Sequence, residues 1–250
     1  MSLEEYAKKR DFRRTPEPAP AETESAATHS GRFFVQRHDA SHLHYDLRLE
    51  IAGTLKSWAV PKGPTLDPAK KHFAAMVEDH PLDYGDFEGN IPKGNYGAGS
   101  VMLWDRGMFE LIGEEDGLAQ IARGDLKFRL HGEKLSGGWA LVFMKGRGKG
   151  NEWLVIKKQD EAAQAGWDVE GHAFSIKTGR TQEEIAADLP ARTVPKKKVP
   201  ASSSKLCPAQ SKPRCLASSR RWVHKYPRHF PGAQVGCMRS NGMAFELSRT

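Results

Sequence analysis

Three histidines and two aspartates fall within nine residues, His38-Asp39-Ala40-Ser41-His42-Leu43-His44-Tyr45-Asp46. Imidazole and carboxylate together are the ligand types of Mn, Fe, Zn and Ni. The run from His44 to Ile51 alternates, so in a strand His44, Asp46, Arg48 and Glu50 share one face and Tyr45, Leu47, Leu49 and Ile51 the other. Four ionisable groups on one strand face are ordinary where that face meets water. The histidines just upstream are what favour a metal. Ligands from a single strand converge on an ion only from a shared face, a condition that His44 and Asp46 meet. The third ligand is then either His42 on the same face or His38 from the preceding loop.

Farther on, His80 sits in Glu78-Asp79-His80-Pro81-Leu82-Asp83-Tyr84, a charged loop after an apolar run, where a surface histidine is the plain reading. Arg48, and Lys62 in the turn Pro61-Lys62-Gly63-Pro64, would supply fixed positive charge for a phosphate held by the metal. Each taken singly reads first as a solvated face or an ion pair with Glu50 or Asp67. Two other functions start from the same residues. His44 and Asp46 with a distant His80 also fit a two-histidine, one-carboxylate iron oxygenase on a β-barrel. A purely structural metal would suit a non-catalytic DNA-end-binding module.

These side chains need a scaffold, and the chain reads as mainly β. Short apolar or alternating runs at 33–36, 44–51, 55–60, 73–77, 101–105, 108–111, 126–130, 139–144 and 153–157 are separated by Gly, Pro and Asp turns, with a short helical candidate at 118–123. Strands at this spacing predict a barrel or sandwich. Thr181 followed by Glu184 predicts a capped helix through Ala187. Residues 16–30 are rich in Pro, Ala, Glu, Thr and Ser and read as a flexible connector. Residues 195–250 are basic and Ser/Pro-punctuated and read as a disordered tail.

The 250 residues suit one folded unit with tails, and the net charge of +7 favours phosphate-bearing partners. Much of that excess sits in Lys196, Lys197, Lys198 and the arginines after Pro213. Residues 1–20 lack the apolar core of a signal peptide, and no stretch is long enough to cross a bilayer. All three cysteines, Cys207, Cys215 and Cys237, lie in the tail, so the core needs no disulfide and a reducing cytoplasm fits. Together with His224 and His229 they lack the paired spacing of a zinc site.

The segment Phe34-Val35-Gln36-Arg37-His38-Asp39-Ala40-Ser41-His42-Leu43-His44-Tyr45-Asp46-Leu47-Arg48-Leu49 resembles the 3′-phosphoesterase domain of bacterial DNA ligase D. The likeness continues through Leu55-Lys56-Ser57-Trp58-Ala59-Val60-Pro61-Lys62-Gly63-Pro64, Glu78-Asp79-His80-Pro81-Leu82-Asp83-Tyr84, Phe87-Glu88-Gly89-Asn90-Ile91-Pro92, Tyr96-Gly97-Ala98-Gly99 and Leu103-Trp104-Asp105-Arg106-Gly107. It closes with Phe128-Arg129-Leu130-His131-Gly132 and Gly138-Trp139-Ala140-Leu141-Val142, and so spans roughly residues 6–158.

The resemblance implies a compact β-barrel with a polar cavity and few short helices: an arm at 1–30, the barrel at 31–160, a peripheral segment at 161–194 and the tail at 195–250. It implies a Mn²⁺ enzyme, other divalent transition metals being able to substitute. This enzyme removes a terminal ribonucleoside and then the 3′-phosphate that remains. Its substrates are DNA or RNA 3′ ends on a primer–template duplex, during non-homologous end joining with ligase, polymerase and Ku-type proteins. The expected setting is a monomer in the bacterial cytoplasm, at the nucleoid during repair. By motif, the metal ligands are His38, His44 and Asp46, and the phosphate-facing set is Arg48, Lys62, His80 and Tyr84 with Glu78 in support.

The family's N-terminal element matches Arg10-Asp11-Phe12 and Thr15-Pro16-Glu17-Pro18, which implies that Arg10, Asp11 and Glu17 fold back over the site. One departure stands out. Lys70-Lys71-His72 occupies the place of a family arginine, so His72 would lose a bidentate phosphate contact and weaken phosphate removal. No intact Lys-x-Asp-Gly ligase motif follows, although Trp222-Val223-His224-Lys225-Tyr226 faintly resembles the start of such a domain.

Overall fold

Alternation along each strand sorts apolar from polar side chains, and closing the sheet turns that sorting into an inside and an outside. In the computed structural model, which describes residues 2–20, 29–146, 148 and 150–192, β1 Ser30–Asp39, β2 Leu43–Ile51, β3 Thr54–Val60 and β4 Lys71–His80 run antiparallel in sequence order. The sheet continues from β4 through β9 Glu152–Lys157, β8 Ser136–Phe143 and β7 Asp125–Gly132 to β6 Gly99–Leu111. β6 pairs back onto β1, closing an eight-stranded barrel, and β5 Gly89–Ile91 is a short ninth strand on the first residues of β6.

The lumen is filled. Phe33, Leu47, Leu49, Trp58, Ala74, Trp104, Phe109, Phe128, Leu130, Trp139, Leu141 and Val155 belong to one buried cluster to which all eight barrel strands contribute. Because Tyr45, Leu47, Leu49 and Ile51 point into it, His44, Asp46, Arg48 and Glu50 stand on the outer wall. The polar cavity therefore lies against the outside of the barrel. It is roofed there by Arg10, just past helix α1 Leu3–Lys8, by Tyr84 of a 3-10 turn at Leu82–Asp86 and by the loop after β5, and a second apolar cluster joins roof to wall through Tyr6, Phe34, Leu55, Tyr84, Leu103 and Ile176.

Several expectations change. The runs at 101–105 and 108–111 are one strand, and Gly107 is not a break in it: a Cβ there would run into the carbonyl of His131 on β7. The glycine lets two strands pair closely. Residues up to 20 are ordered rather than a connector, tied by the Tyr6 hydroxyl donating to Pro18 O. Residues 21–28 of the connector, and the tail with its cysteines and histidines, lie outside the described residues. Helix α2 Gly117–Arg123 forms where expected and is capped by Asp116. Helix α3 Gln182–Ala186 carries the full capping box of Thr181 and Glu184. Buried Glu88 accepts from Ser175, Thr178 and Arg180, and so pins the segment after β9 to the barrel. No helix among the described residues is long and apolar enough to cross a membrane.

Candidate metal centre and phosphate pocket

His38 is not in a loop but on β1, where the antiparallel register sets it directly opposite His44, and Gln36 opposite Asp46. His38 Nε2 lies 2.8 Å from Gly97 O, and His44 Nδ1 lies 2.9 Å from His42 O. A carbonyl only accepts, so these nitrogens carry the ring hydrogens and the lone pairs sit on His38 Nδ1 and His44 Nε2. Those two atoms face the carboxylate, at 3.9 Å from Asp46 Oδ2 and 3.7 Å from Oδ1.

One ligand atom from each residue lies within 4.8 Å of the others. Donors bound to one transition-metal ion at about 2.0–2.2 Å stand roughly 3–4 Å apart, so a small inward movement closes the set. Burial pushes the His38 pKa below its ordinary value, against the pull of Asp46, and so favours the neutral form that a metal requires. His42 is exposed and belongs to neither the ligand cluster nor the cavity lining: it is its carbonyl that serves, by fixing the tautomer of His44.

Beside the triad, Arg48 is held from three sides. Its Nη2 donates to Asp46 Oδ2 at 2.9 Å, Nε to Gln36 Oε1 at 2.7 Å and Nη1 to Ser57 Oγ at 2.9 Å, while its guanidinium lies 4.8 Å over the Tyr84 ring. Gln36 is itself fixed by donating to the carbonyls of Tyr84 and Phe87. Three of the five guanidinium N–H groups are thus engaged, leaving two for a ligand in the cavity that Arg48 lines.

The second cation comes from the arm. Arg10 Nε donates to Glu17 Oε1 at 2.8 Å and Nη1 to Glu78 Oε1 at 3.2 Å, and the guanidinium covers the Tyr6 ring at 3.9 Å. Glu17 is further fixed by the hydroxyl of Thr15, and Glu78 by Lys9. His80 Nδ1 donates to Glu78 O at 2.9 Å, so its Nε2 carries the lone pair, which accepts from Arg10 Nη2 at 3.5 Å. Burial, then Arg48 and Arg10, push the His80 pKa well below 6.5.

Arg10, His38, His44, Asp46, Arg48, Glu78, His80 and Tyr84 thus line one cavity of about 250 Å³. Four expected residues do not line it: Glu17 stands behind Arg10, whose Nε it binds, and the other three lie farther out. Lys62 is exposed in the turn after β3, His72 donates from Nδ1 to Gly63 O at 2.6 Å, and Asp11 is exposed and caps the backbone of Arg13. Sequence reasoning also missed Gln36, Ser57, Tyr6 and Tyr96, whose places follow from strand register and arm docking.

The pKa depression has a stability consequence. Unfolding returns His80 to an ordinary value near 6.5, so below that pH the unfolded chain binds a proton that the folded one refuses. Stability is complete above pH 6.5 and is lost as pH falls toward the folded value. His38 acts in the same direction. The melting temperature of the metal-free protein is expected to drop between pH 6.5 and 5, with a shallower slope for His80→Gln; equal slopes in the two proteins would remove His80 as a cause.

Residues 36–143 match the family described as the DNA Ligase D 3′-phosphoesterase domain. The chain is 55% identical over 163 residues to the multifunctional non-homologous end joining protein LigD of Pseudomonas aeruginosa, covering 65% of this chain and 19% of the relative. It is 40% identical over 163 residues to the protein of the same name from Mycolicibacterium smegmatis, covering 64% and 21%. To the multifunctional non-homologous end joining DNA repair protein LigD of Mycobacterium tuberculosis it is 39% identical over 186 residues, covering 74% and 23%. The chain spans about a fifth of the length of these relatives.

Proposed function

We propose, on the premise that residues 36–143 form a DNA ligase D 3′-phosphoesterase domain, that this chain is a Mn²⁺-dependent hydrolase trimming DNA or RNA 3′ ends for non-homologous end joining. The observation that carries the reading is that a metal-ligand triad and two buried arginines share one cavity. A His₂Asp set with both lone pairs turned inward suits a divalent transition metal. When bound, the metal would supply Lewis acidity toward a phosphoryl oxygen and a water of lowered pKa.

The protein's own groups would do the rest. His38, His44 and Asp46 hold the ion. Arg48, with two N–H groups to spare, and Arg10 bind the phosphoryl oxygens and offset charge that develops there. Tyr84 packs against both Arg48 and His80 and keeps them in place. Glu78 orients Arg10 and, through its carbonyl, His80. His80 in its resting form offers a lone pair and so takes a proton rather than giving one. Donation to the leaving oxygen requires prior protonation, which a bound phosphate anion favours and the two arginines oppose.

Lys62, exposed next to the triad-bearing strand, would meet the polymer backbone outside the cavity. Asp11 would brace the arm, and His72, tied to Gly63, makes phosphate removal the slower step. A cavity of this volume is smaller than the roughly 300–1,000 Å³ of a site enclosing a drug-sized ligand, which suits a polymer end whose remainder stays outside. Ligase, polymerase and Ku-type proteins would be its partners.

The same triad is what a two-histidine, one-carboxylate iron oxygenase uses, although His80 is not part of it: among the described residues only His38, His44 and Asp46 cluster. Arg10 and Arg48 beside the triad favour phosphate over an oxygenase substrate. A labelled duplex with one 3′ ribonucleotide, incubated with Mn²⁺ in the absence of oxygen, is expected to release nucleoside and then inorganic phosphate. Turnover that survives metal chelation, or that needs oxygen, would sink the reading.

A further inference from the structure

Of the large side chains left exposed among the described residues, Tyr96 alone lines the cavity: it is 50% exposed, at the mouth. Its loop is built to hold it there. Gly94 and Gly97 adopt φ of 87° and 71°, and Asn95 N and Ala98 N donate to Pro92 O and Asn95 O. The carbonyl of Gly97, the next residue, accepts from His38 Nε2 at 2.8 Å. The side chain of Asn95 donates to Arg14 O of the arm at 3.3 Å. The ring is thus placed relative to both the metal ligands and the arm. Lys9 Nζ lies 4.8 Å and Arg10 Cζ 5.4 Å from its centroid, over the ring, so cations pack on it while the residue as a whole stays half exposed.

We propose that Tyr96 is a positioning residue whose ring stacks on a nucleobase flanking the scissile phosphate. The proposal rests on the phosphoesterase reading and names the part of the substrate that the metal and arginines leave unrecognised. A phosphate in the cavity brings the sugar and base on either side of it to the mouth, where a half-exposed aromatic residue backed by cations is the arrangement that single-stranded ends use. Stacking tolerates any base, as end trimming requires.

The bland alternative is that Tyr96 only latches the arm through Lys9 and Arg10. The two differ in whether the loss depends on a base. Tyr96→Ala is expected to raise KM roughly 10-fold on a duplex with an intact 3′ ribonucleotide, within the range found for one stacked base, with kcat changed little, while Tyr96→Phe retains wild-type KM. Repeating the measurement with an abasic terminal sugar and with an abasic penultimate sugar identifies the base: the effect of Tyr96→Ala vanishes on the substrate that lacks it. Equal loss on all three substrates, with the arm cut faster by trypsin at Arg13, would overturn stacking in favour of the latch.

A readout free of turnover uses Tyr96→Trp in chelator, whose emission is expected to be quenched by a single-stranded oligonucleotide and less by one abasic at the identified position. Absent quenching overturns the proposal. Quenching in a protein that releases no nucleoside would leave Tyr96 as a base platform and sink the phosphoesterase reading instead.

Discussion

Asp46→Asn is expected to lower metal-supported turnover by at least about 10³-fold and Mn²⁺ affinity by at least about 100-fold, on the scale of the several kcal/mol that a catalytic metal supplies. Asp46 is buried, its two oxygens divide between the histidine lone pairs, and Oδ2 also accepts from Arg48. The amide keeps the shape and one acceptor for Arg48. It replaces the other oxygen with an NH₂ group, which would donate to an imidazole lone pair and so close the cage against a cation. Asp46→Ala also leaves the Arg48 guanidinium buried without its anion, an additional cost to folding. The contrast with His42→Ala is the sharper part of the test. That exposed ring should be dispensable, because the carbonyl of residue 42 still fixes His44, and metal titration should give an affinity within about twofold of wild type. Loss of binding in His42→Ala with retention in His38→Ala would overturn the ligand assignment.

The distinction between His42 and His38 marks how far this site can be read from the sequence. Alternation along one strand was enough to put His44, Asp46 and Arg48 on one face, because the period of two is a property of the chain itself. Which residue lies opposite is a property of pairing between strands. Arg37, His38 and Asp39 look like a loop because all three are polar, yet the backbone continues as β1 and carries His38 to His44. Gln36 and Ser57 left no trace, being uncharged residues whose importance lies only in facing Arg48 across the register. Gly107 was misleading in the other direction, since glycine marks a turn in one setting and a close strand approach in another. The six-residue helix α1 is too short to be stable alone. It exists because Tyr6 and Arg10 find partners far along the chain, at Tyr84, Glu78 and His80, which no local pattern encodes. The resemblance supplied what periodicity could not, the return of the arm over the site, but it also placed Lys62 and His72 among the phosphate contacts, and the cavity is lined by neither.

Arg10→Ala is expected to release the arm and reduce turnover by roughly 100-fold or more while leaving Mn²⁺ affinity near wild type. Arg10 is 4% exposed in its side chain and joins Glu17 of the arm to Glu78 of β4. Without it, Glu78 keeps Lys9 while Glu17 keeps only the Thr15 hydroxyl, and stripping one partner from a buried ion pair costs about 3–5 kcal/mol. The chain can avoid that cost by undocking residues 2–20, which returns both carboxylates to water. The barrel core, whose apolar cluster contains no arm residue, stays folded. The signature is therefore local: rapid tryptic cleavage at the exposed Arg13 and Arg14, and a nearly unchanged transition for the barrel. Turnover falls twice over, through one lost phosphate contact and through an opened roof that admits water to Arg48 and weakens its field. Because Arg10 touches none of His38, His44 and Asp46, metal titration separates this effect from damage to the triad. Arg10→Lys should recover only part of the loss, since a single ammonium cannot reproduce the planar fork that meets Glu17, Glu78 and the Tyr6 carbonyl together. An arm that stays protected in Arg10→Ala, with turnover within twofold of wild type, would show that the arginine neither holds the roof nor binds phosphate.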